Sequence, residues 1–593
     1  MNIKDAIQSI QLGKKHSEPK TLYTVWGENL DVEHVHEEYP RPQMVRPEWV
    51  CLNGFWDYAF IDGKDMKKAV PPSQWDGKIL VPFSPEAPLS GVNRQLKPGE
   101  FLWYHRCLNV ENIGDTKRCI LHFGAVDERC HGYVNGKHVG SHRGGYLPFE
   151  WDITDALVEG ENHIYLMAAD DSDQGPASKG KQKLNRGGMY YTAQSGIWQT
   201  VWMEWVEDNH ISSFKMTPNI DTSEIKIELE MTHPLKHCRM EAYDGDTCVA
   251  VYDGTDAMTV LHIEEAKLWC PEHPFLYTLK IWADKDYVES YFAMRSWTLE
   301  RDEHGILRTC LNHKFCFQNG LLDQGYWPDG LYTPPCDEAL IFDIRSMKDL
   351  GFNMLRKHAK VESLRWYYHC DRLGMIVWQD MVNGGDVPSP LLVTYLPTGL
   401  PFVQKLPKDL PLITGRMNKK VREAWLLECA ETVKILYNSP SIGCWVPFNE
   451  GWGQFDTQRV TDQIRTLDDS RFIDSASGWF DVGCGDFVSE HNYFRKLEVH
   501  PDGKRAFILS EYGGYACHVE GHSAVDEVYG YKTYTNPEEL NKAFWSMMTS
   551  SVEPLIEKGL CAAVYTQVSD IEEEVNGLWT YDRKVCKIHK NCV

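Results

Sequence analysis

Two acidic residues of this chain stand where strand ends could concentrate chemistry. Trp445-Val446-Pro447-Phe448 runs directly into Asn449-Glu450-Gly451-Trp452-Gly453, and Phe507-Ile508-Leu509-Ser510 runs into Glu511-Tyr512-Gly513-Gly514. Each apolar run has the length of a buried strand, and each ends on a carboxylate followed by glycines that let the backbone turn sharply. A single acid at a strand end is more often just solvated. Two of them, 61 positions apart at the fourth and seventh strands of one pattern, read instead as a carboxylate pair. Such a pair can divide acid, base and nucleophile work between its members. Further polar residues follow neighbouring apolar runs: Arg356 and His358 after Phe352–Leu355, Asp380 after Met375–Trp378, and His491 and Tyr493 after Phe487–Ser489. Taken singly, His358 is equally well explained as a structural histidine and Asp380 as a solvated loop acid.

The elements that must position these residues change character along the chain. Residues 1–205 carry hairpin-turn dipeptides, Asn53-Gly54 and Asn135-Gly136, beside short apolar segments and little helical periodicity, which predicts a β-sandwich. Over 206–300, Ile225, Ile227, Leu229 and Met231 alternate with Lys226, Glu228 and Glu230. That period of two marks strands with one buried face, in a segment the size of one immunoglobulin-like sandwich. From 301 to 593 short apolar strands alternate with helical stretches such as Val421, Trp425, Cys429, Val433 and Leu436. Asn536 before Pro537-Glu538-Glu539 reads as a capped helix start. The remaining strands are predicted at Ile442–Phe448, Phe472–Asp474, Ala506–Leu509 and Ala562–Thr566. About 290 residues of strand–helix units fit an eight-fold (β/α) barrel, whose chemistry sits at the C-terminal ends of its strands.

Composition narrows the partners. The 593 residues hold 61 Lys+Arg against 85 Asp+Glu, a formal charge of −24, which disfavours wrapping a phosphate backbone. No apolar run reaches the length of a membrane span, and the N-terminal residues carry no secretory h-region. With 18 scattered cysteines, reduced thiols in a cytoplasm are expected. His518-Val519-Glu520-Gly521-His522 is not the H-E-x-x-H pattern of a helical zinc site, so neither metal nor cofactor is expected. Tryptophan, at 21 residues, nearly equals phenylalanine at 22. Most of this belongs in cores, although indole faces also serve as sugar-stacking platforms.

Asn449-Glu450 and Ser510-Glu511-Tyr512-Gly513-Gly514 resemble the fourth- and seventh-strand motifs of glycoside hydrolase family 2, the family of β-galactosidases, β-glucuronidases and β-mannosidases. The resemblance spans nearly the whole chain. Arg41-Pro42-Gln43, Leu52-Asn53-Gly54-Phe55-Trp56 and Trp103-Tyr104-His105-Arg106 are similar to the family's sugar-binding jelly-roll domain. Ser195-Gly196-Ile197-Trp198-Gln199 resembles the passage into its immunoglobulin-like domain, and Leu322–Gly330 and Gly351–His358 resemble the first two barrel segments. The family retains anomeric configuration, which implies two carboxyl groups roughly 5–5.5 Å apart around an oxocarbenium-like transition state. The resemblance makes Glu450 the general acid/base, Glu511 the nucleophile and Asn449 a partner of the sugar 2-hydroxyl. It further suggests Arg356, His358, Asp380, His491 and Tyr493 as supporting or sugar-binding groups. Tyr565 stands where clan relatives place a tryptophan platform, and Trp327, Trp452 and Trp579 are other candidate platforms.

The expected activity is exo-acting hydrolysis of terminal β-linked sugars, β-galactosidase-like. The alternatives are β-galactofuranosidase, arabinosidase or β-mannosidase action, or a non-catalytic carbohydrate-binding protein. No Asn-x-Lys, the family's glucuronate-gripping motif, follows Glu511, which argues against a glucuronidase. The chain ends soon after the eighth strand, without the C-terminal sandwiches of long β-galactosidases. The expected partner is therefore an oligosaccharide or glycoside, with no nucleic acid or membrane, and with a homo-oligomer left open.

Overall fold

The computed structural model describes residues 16–590 apart from 64, 112–116, 387, 389–391, 394, 395, 405, 407, 408 and 531. The N-terminal part is a sandwich of two antiparallel sheets. The larger has six strands, in the order Gly77–Val81, Gly54–Asp62, Glu100–Val110, Gly160–Ala169, Arg129–Val134 and Lys137–Arg143. The smaller pairs Trp49–Cys51, Val201–Glu207, Lys117–Phe123 and Phe149–Asp152. Alternate residues point inward, so Trp56, Leu102, Tyr104, Leu121, Phe123 and Leu166 meet in one core between the sheets. A second sandwich follows, three strands against four, and the predicted alternation holds there: Ile225, Ile227 and Leu229 are buried in its core.

The rest is a barrel of eight parallel strands: Gln318–Asp323, Met354–Lys357, Ile376–Asp380, Ile442–Val446, Phe472–Ile473, Phe487–Asn492, Ala506–Gly513 and Leu560–Thr566. First and eighth strands pair, whereas fifth and sixth do not. That gap is bridged by Asp486, whose N–H donates to the Ile473 carbonyl at 2.9 Å and whose carboxylate accepts from the Ile473 N–H at 2.7 Å. The strands are apolar on both faces, as a sheet covered on both sides must be. Met354, Ile376, Trp378, Val446, Ile508 and Val564 fill the barrel interior over Trp269, Trp297 and Leu311. Leu355, Val377, Leu509 and Ala563 face the helices. Helix Lys419–Leu436 begins at an Asn418 cap, and helix Pro537–Met547 begins at Asn536, whose side chain accepts from the Glu539 N–H at 3.0 Å. Among the described residues every cysteine is a free thiol, and no helix is long and apolar enough to cross a membrane.

Candidate active site

The strand ends converge on one buried guanidinium. Arg356, on the second strand, is fully buried. Its Nε and Nη2 donate to the two carboxylate oxygens of Asp380, on the third strand, at 2.9 and 3.0 Å. This is the parallel two-bond fork that only arginine supplies. Nη2 also donates to Asn449 Oδ1 at 2.8 Å, and Nη1 donates to the Ser510 carbonyl at 3.0 Å and to Glu511 Oε1 at 3.3 Å. One side chain thus locks four strands in register. His358 closes the other side of Asp380, with Nδ1 at 2.6 Å from Oδ2.

Glu511 lies within the seventh strand rather than beyond its end. Burial would raise its pKa, but the charges of His491, Arg356 and His358 and the Tyr493 hydroxyl outweigh that and hold it at about 2. Tyr493 donates its hydroxyl to Glu511 Oε2. Glu511 is therefore an ionised, oriented carboxylate at neutral pH.

Glu450 follows Asn449 in a left-handed backbone conformation, φ 53°, which costs about 1–3 kcal/mol for a residue with a Cβ. The conformation is held from both sides. The Glu450 N–H donates to the Ser477 carbonyl at 3.0 Å, and the Glu450 carbonyl accepts from Trp479 Nε1 at 2.8 Å. His491, on the sixth strand, stands between the two carboxylates. Its Nδ1 is 2.8 Å from Glu450 Oε1, and its Nε2 is 3.1 Å from Ser477 Oγ and 3.6 Å from Glu511 Oε1. Gly478 lies flat against this imidazole, where a Cβ would come within 2.6 Å of the ring. One oxygen of Glu450, one of Glu511 and a ring nitrogen of His491 all lie within 4.8 Å of one another. These three groups could geometrically surround a metal ion, but the Arg356 guanidinium on the same Glu511 oxygen opposes a cation there.

The structure thus brings together Glu450, Glu511, Asn449, Arg356, Asp380, His358, His491 and Tyr493. It does not bring Tyr565 or Trp327 to them. Tyr565 is fully buried on the helix-facing side of the eighth strand, against Tyr512 and Phe544, and its hydroxyl accepts from the Tyr515 N–H at 3.0 Å. In a strand of period two, Val564 and Thr566 are the positions that face the barrel interior. Trp327 is core, covered by the Arg583 guanidinium at 4.1 Å and edge-on to Trp26. Trp579 packs on Phe342. Trp452 lies at the flank, stacked on Tyr190 with ring centres 5.8 Å apart, in a small cluster with Trp479 and Phe480. Tyr190 takes one face of that ring, and Trp452 is buried, 5% exposed.

Sequence reading missed the N-terminal sandwich's share of this site. Its segment around 178–194 reaches the barrel face, where Ser178 bridges Gly384 and the Lys179 N–H donates to the Asn383 carbonyl at 2.9 Å. The segment also holds the acidic loop after the eighth strand. Tyr191 donates to Glu574, Thr192 donates twice to Glu572, and the Gly188 N–H donates to Glu573 at 2.8 Å. Lys181 is buried here with its ammonium over the Tyr191 ring, 5.7 Å from the centroid, and no carboxylate pairs with it among the described residues. Burial lowers the His358 pKa and the Lys181 charge lowers it further, against Asp380. Burial raises that of Glu574, with Lys181 opposing and Glu511 and Glu450 adding to the rise. Asp474, ending the fifth strand, was missed as well. Burial pushes it up to about 6 against Arg356, and it accepts from Ser489 Oγ at 2.9 Å. An acid after Phe472-Ile473 was the signal that could have found it.

Three family models match the chain in order: "Glycosyl hydrolases family 2, sugar binding domain" over 89–201, "Glycosyl hydrolases family 2" over 209–295, and "Glycosyl hydrolases family 2, TIM barrel domain" over 336–583. The chain belongs to glycoside hydrolase family 2. A relative named "Putative beta-glucuronidase" from Formosa agariphila is 27% identical over 80% of this chain and 57% of its own length. A β-galactosidase from Thermoanaerobacter pseudethanolicus is 25% identical over 47% of this chain and 39% of its own. The chain therefore spans 57% and 39% of the length of these two curated relatives. A solved β-glucuronidase from an uncultured Clostridium shares the fold, with a TM-score of 0.71 at 18% identity over 92% of this chain and 97% of that one. The family's three-part architecture accounts for both sandwiches and the barrel, and the converging groups occupy the barrel face where such folds place chemistry.

Proposed function

We propose that this chain is a retaining, exo-acting β-glycosidase that works by double displacement. The observation that carries the reading is the approach of the Glu450 and Glu511 carboxylates, with oxygens within 4.8 Å. That suits a direct attack through a covalent intermediate and is shorter than the roughly 6.5–9.5 Å between the carboxyls of inverting pairs. Glu511 is the nucleophile because Arg356, His491 and Tyr493 keep it ionised. Its carboxylate attacks the anomeric carbon while Glu450 gives its proton to the departing glycosidic oxygen. Glu450, now ionised, takes a proton from water, which attacks the same carbon and frees Glu511. Asn449 Oδ1 is engaged by Arg356, so its NH2 is the end turned to a sugar hydroxyl. The Glu450→Ala variant is expected to turn over slowly on a nitrophenyl β-glycoside and to be rescued by azide, yielding a β-glycosyl azide. A product of inverted configuration would overturn the mechanism.

A β-galactoside-type terminal sugar remains the first reading, with β-galactofuranoside, arabinoside and β-mannoside as related exo-specificities. Lys181 supports a second. A buried cation with no ion pair among the described residues, beside His358 and Glu574, suits a sugar carboxylate, and relatives named as β-glucuronidases occur alongside β-galactosidases. A panel of neutral and uronic nitrophenyl β-glycosides separates the two. Under the second reading Lys181→Met lowers kcat/KM at least about 30-fold on a uronide and leaves neutral glycosides unaffected, since a desolvated charge pair is at stake. Turnover of neutral sugars alone removes it.

A further inference from the structure

A convergence of side chains that the reaction does not use lies far along the sequence from the carboxylate pair, on the outer face of the N-terminal sandwich. His105 and Cys107 are two apart on strand Glu100–Val110, and Cys107 is directly opposite His163 on strand Gly160–Ala169. Residues two apart on one strand share a face with the residue opposite, so all three side chains leave the sheet on the same side. Their donor atoms meet. His105 Nε2 is 3.1 Å from His163 Nδ1, and Cys107 Sγ is 3.2 Å from His163 Nδ1 and 3.6 Å from His105 Nε2. Zinc bonds of about 2.0–2.1 Å to nitrogen and 2.3 Å to sulfur place the corners of a tetrahedral site roughly 3.3–3.6 Å apart.

We propose that His105, Cys107 and His163 form a zinc site that is separate from the catalytic pocket and leaves one coordination position open to solvent. His105 is already oriented as a ligand requires, and His163 has a carboxylate near its far nitrogen. Asp57 Oδ2 lies 2.8 Å from His105 Nδ1, and Glu161 Oε1 lies 3.3 Å from His163 Nε2. A carboxylate behind the far ring nitrogen fixes the tautomer that turns the near nitrogen's lone pair to the metal. Trp75 stacks on His105 with centroids 5.2 Å apart and planes at 14°, which holds that ring in place. Lys78, at 2.7 Å from Asp57 Oδ1, leaves Oδ2 for the histidine. Two imidazoles and a thiolate suit zinc better than magnesium or calcium. The Cys107 thiol enters as S–H, the ordinary form of a cysteine near neutral pH. Binding forms the Zn–S bond and releases that proton to solvent. The ion ties two adjacent strands of the six-stranded sheet together and needs nothing from the hydrolytic reaction.

The test is titration of the metal-stripped full chain with Co2+ as a spectroscopic stand-in, followed by Zn2+ displacement. One equivalent of cobalt is expected to release one proton and to give a thiolate charge-transfer band and tetrahedral d–d bands, which zinc abolishes with no further proton release. Cys107→Ser should lose the charge-transfer band and bind zinc at least about 100-fold more weakly. His163→Ala should weaken binding similarly, and Asp57→Asn about 10-fold. Glycosidase turnover of Cys107→Ser should stay that of the parent, which also reports its folding. A band that persists in Cys107→Ser, zinc affinity unchanged by both ligand variants, or no binding at all would reduce the cluster to a hydrogen-bonded trio.

Discussion

The Glu511→Gln variant is expected to lose at least about 10,000-fold in kcat/KM on a nitrophenyl β-glycoside, because the covalent step loses its only nucleophile. The amide is nearly isosteric, and its single oxygen can still accept from Arg356 while its NH2 donates to the Tyr493 hydroxyl oxygen, so circular dichroism should report a folded chain. Stability should nevertheless fall at neutral pH, in a way that identifies the cause. Glu511 is held at about 2 in the folded chain, below the ordinary glutamate value of about 4.3. A carboxyl depressed on folding contributes stability that is fully present above its unfolded pKa and is lost as pH falls towards its folded one. The difference in unfolding free energy between parent and Glu511→Gln should therefore be constant near neutrality and shrink below about pH 4.3. Denaturant titrations at several pH values, paired with steady-state kinetics, check both halves. Parental activity in Glu511→Gln would remove it from the reaction, and a pH-independent difference would mean that its charge is not what Arg356 and His491 hold.

What the sequence discloses here depends on whether a signal is local. The strand-tip glutamates, Arg356 and Asp380 each follow a short apolar run, and the observed strands begin or end within a few residues of those runs because burial on both faces leaves no polar interruption. The same double burial is why Tyr565 was misplaced. In an amphipathic strand, parity says which side a residue faces, but Val564 and Tyr565 are equally apolar, and only the register with neighbouring strands turns Tyr565 towards Phe544. Trp327 failed in a similar way: being next to a strand tip does not show which way the ring points. Lys181 lies in Lys179-Gly180-Lys181-Gln182-Lys183, which reads as a solvated basic run. Its burial exists only because a loop of one sandwich lies over the barrel. The His105, Cys107 and His163 cluster was invisible for the same physical reason. Motif spacings describe ligands on one helix or knuckle, whereas strand pairing joins residues more than fifty positions apart.

Arg356 should be the position where stability and catalysis fail together. Its guanidinium is fully buried and satisfies Asp380, Asn449, the Ser510 carbonyl and Glu511 at once. Arg356→Ala strands the Asp380 and Glu511 carboxylates without their shared cation, and breaking a buried pair from one side costs about 3–5 kcal/mol. Much of that cost is the abandoned charge rather than the lost bond. Removing Asp380 as well should return part of the stability, giving a double-mutant coupling of about 1–3 kcal/mol. Arg356→Lys separates charge from geometry. A lysine keeps the positive charge near Glu511 but cannot make the fork to Asp380 while also reaching Asn449. It should remain folded and lose about 100-fold or more in kcat, since a misplacement near 1 Å of the nucleophile and the 2-hydroxyl partner is enough for that. Urea unfolding of the two single variants and the double variant, with kcat and KM for Arg356→Lys, distinguishes the roles. If lysine restores full kcat, Arg356 acts as a charge alone. If alanine unfolds no more easily than the parent, the four strand ends are held by something other than this side chain.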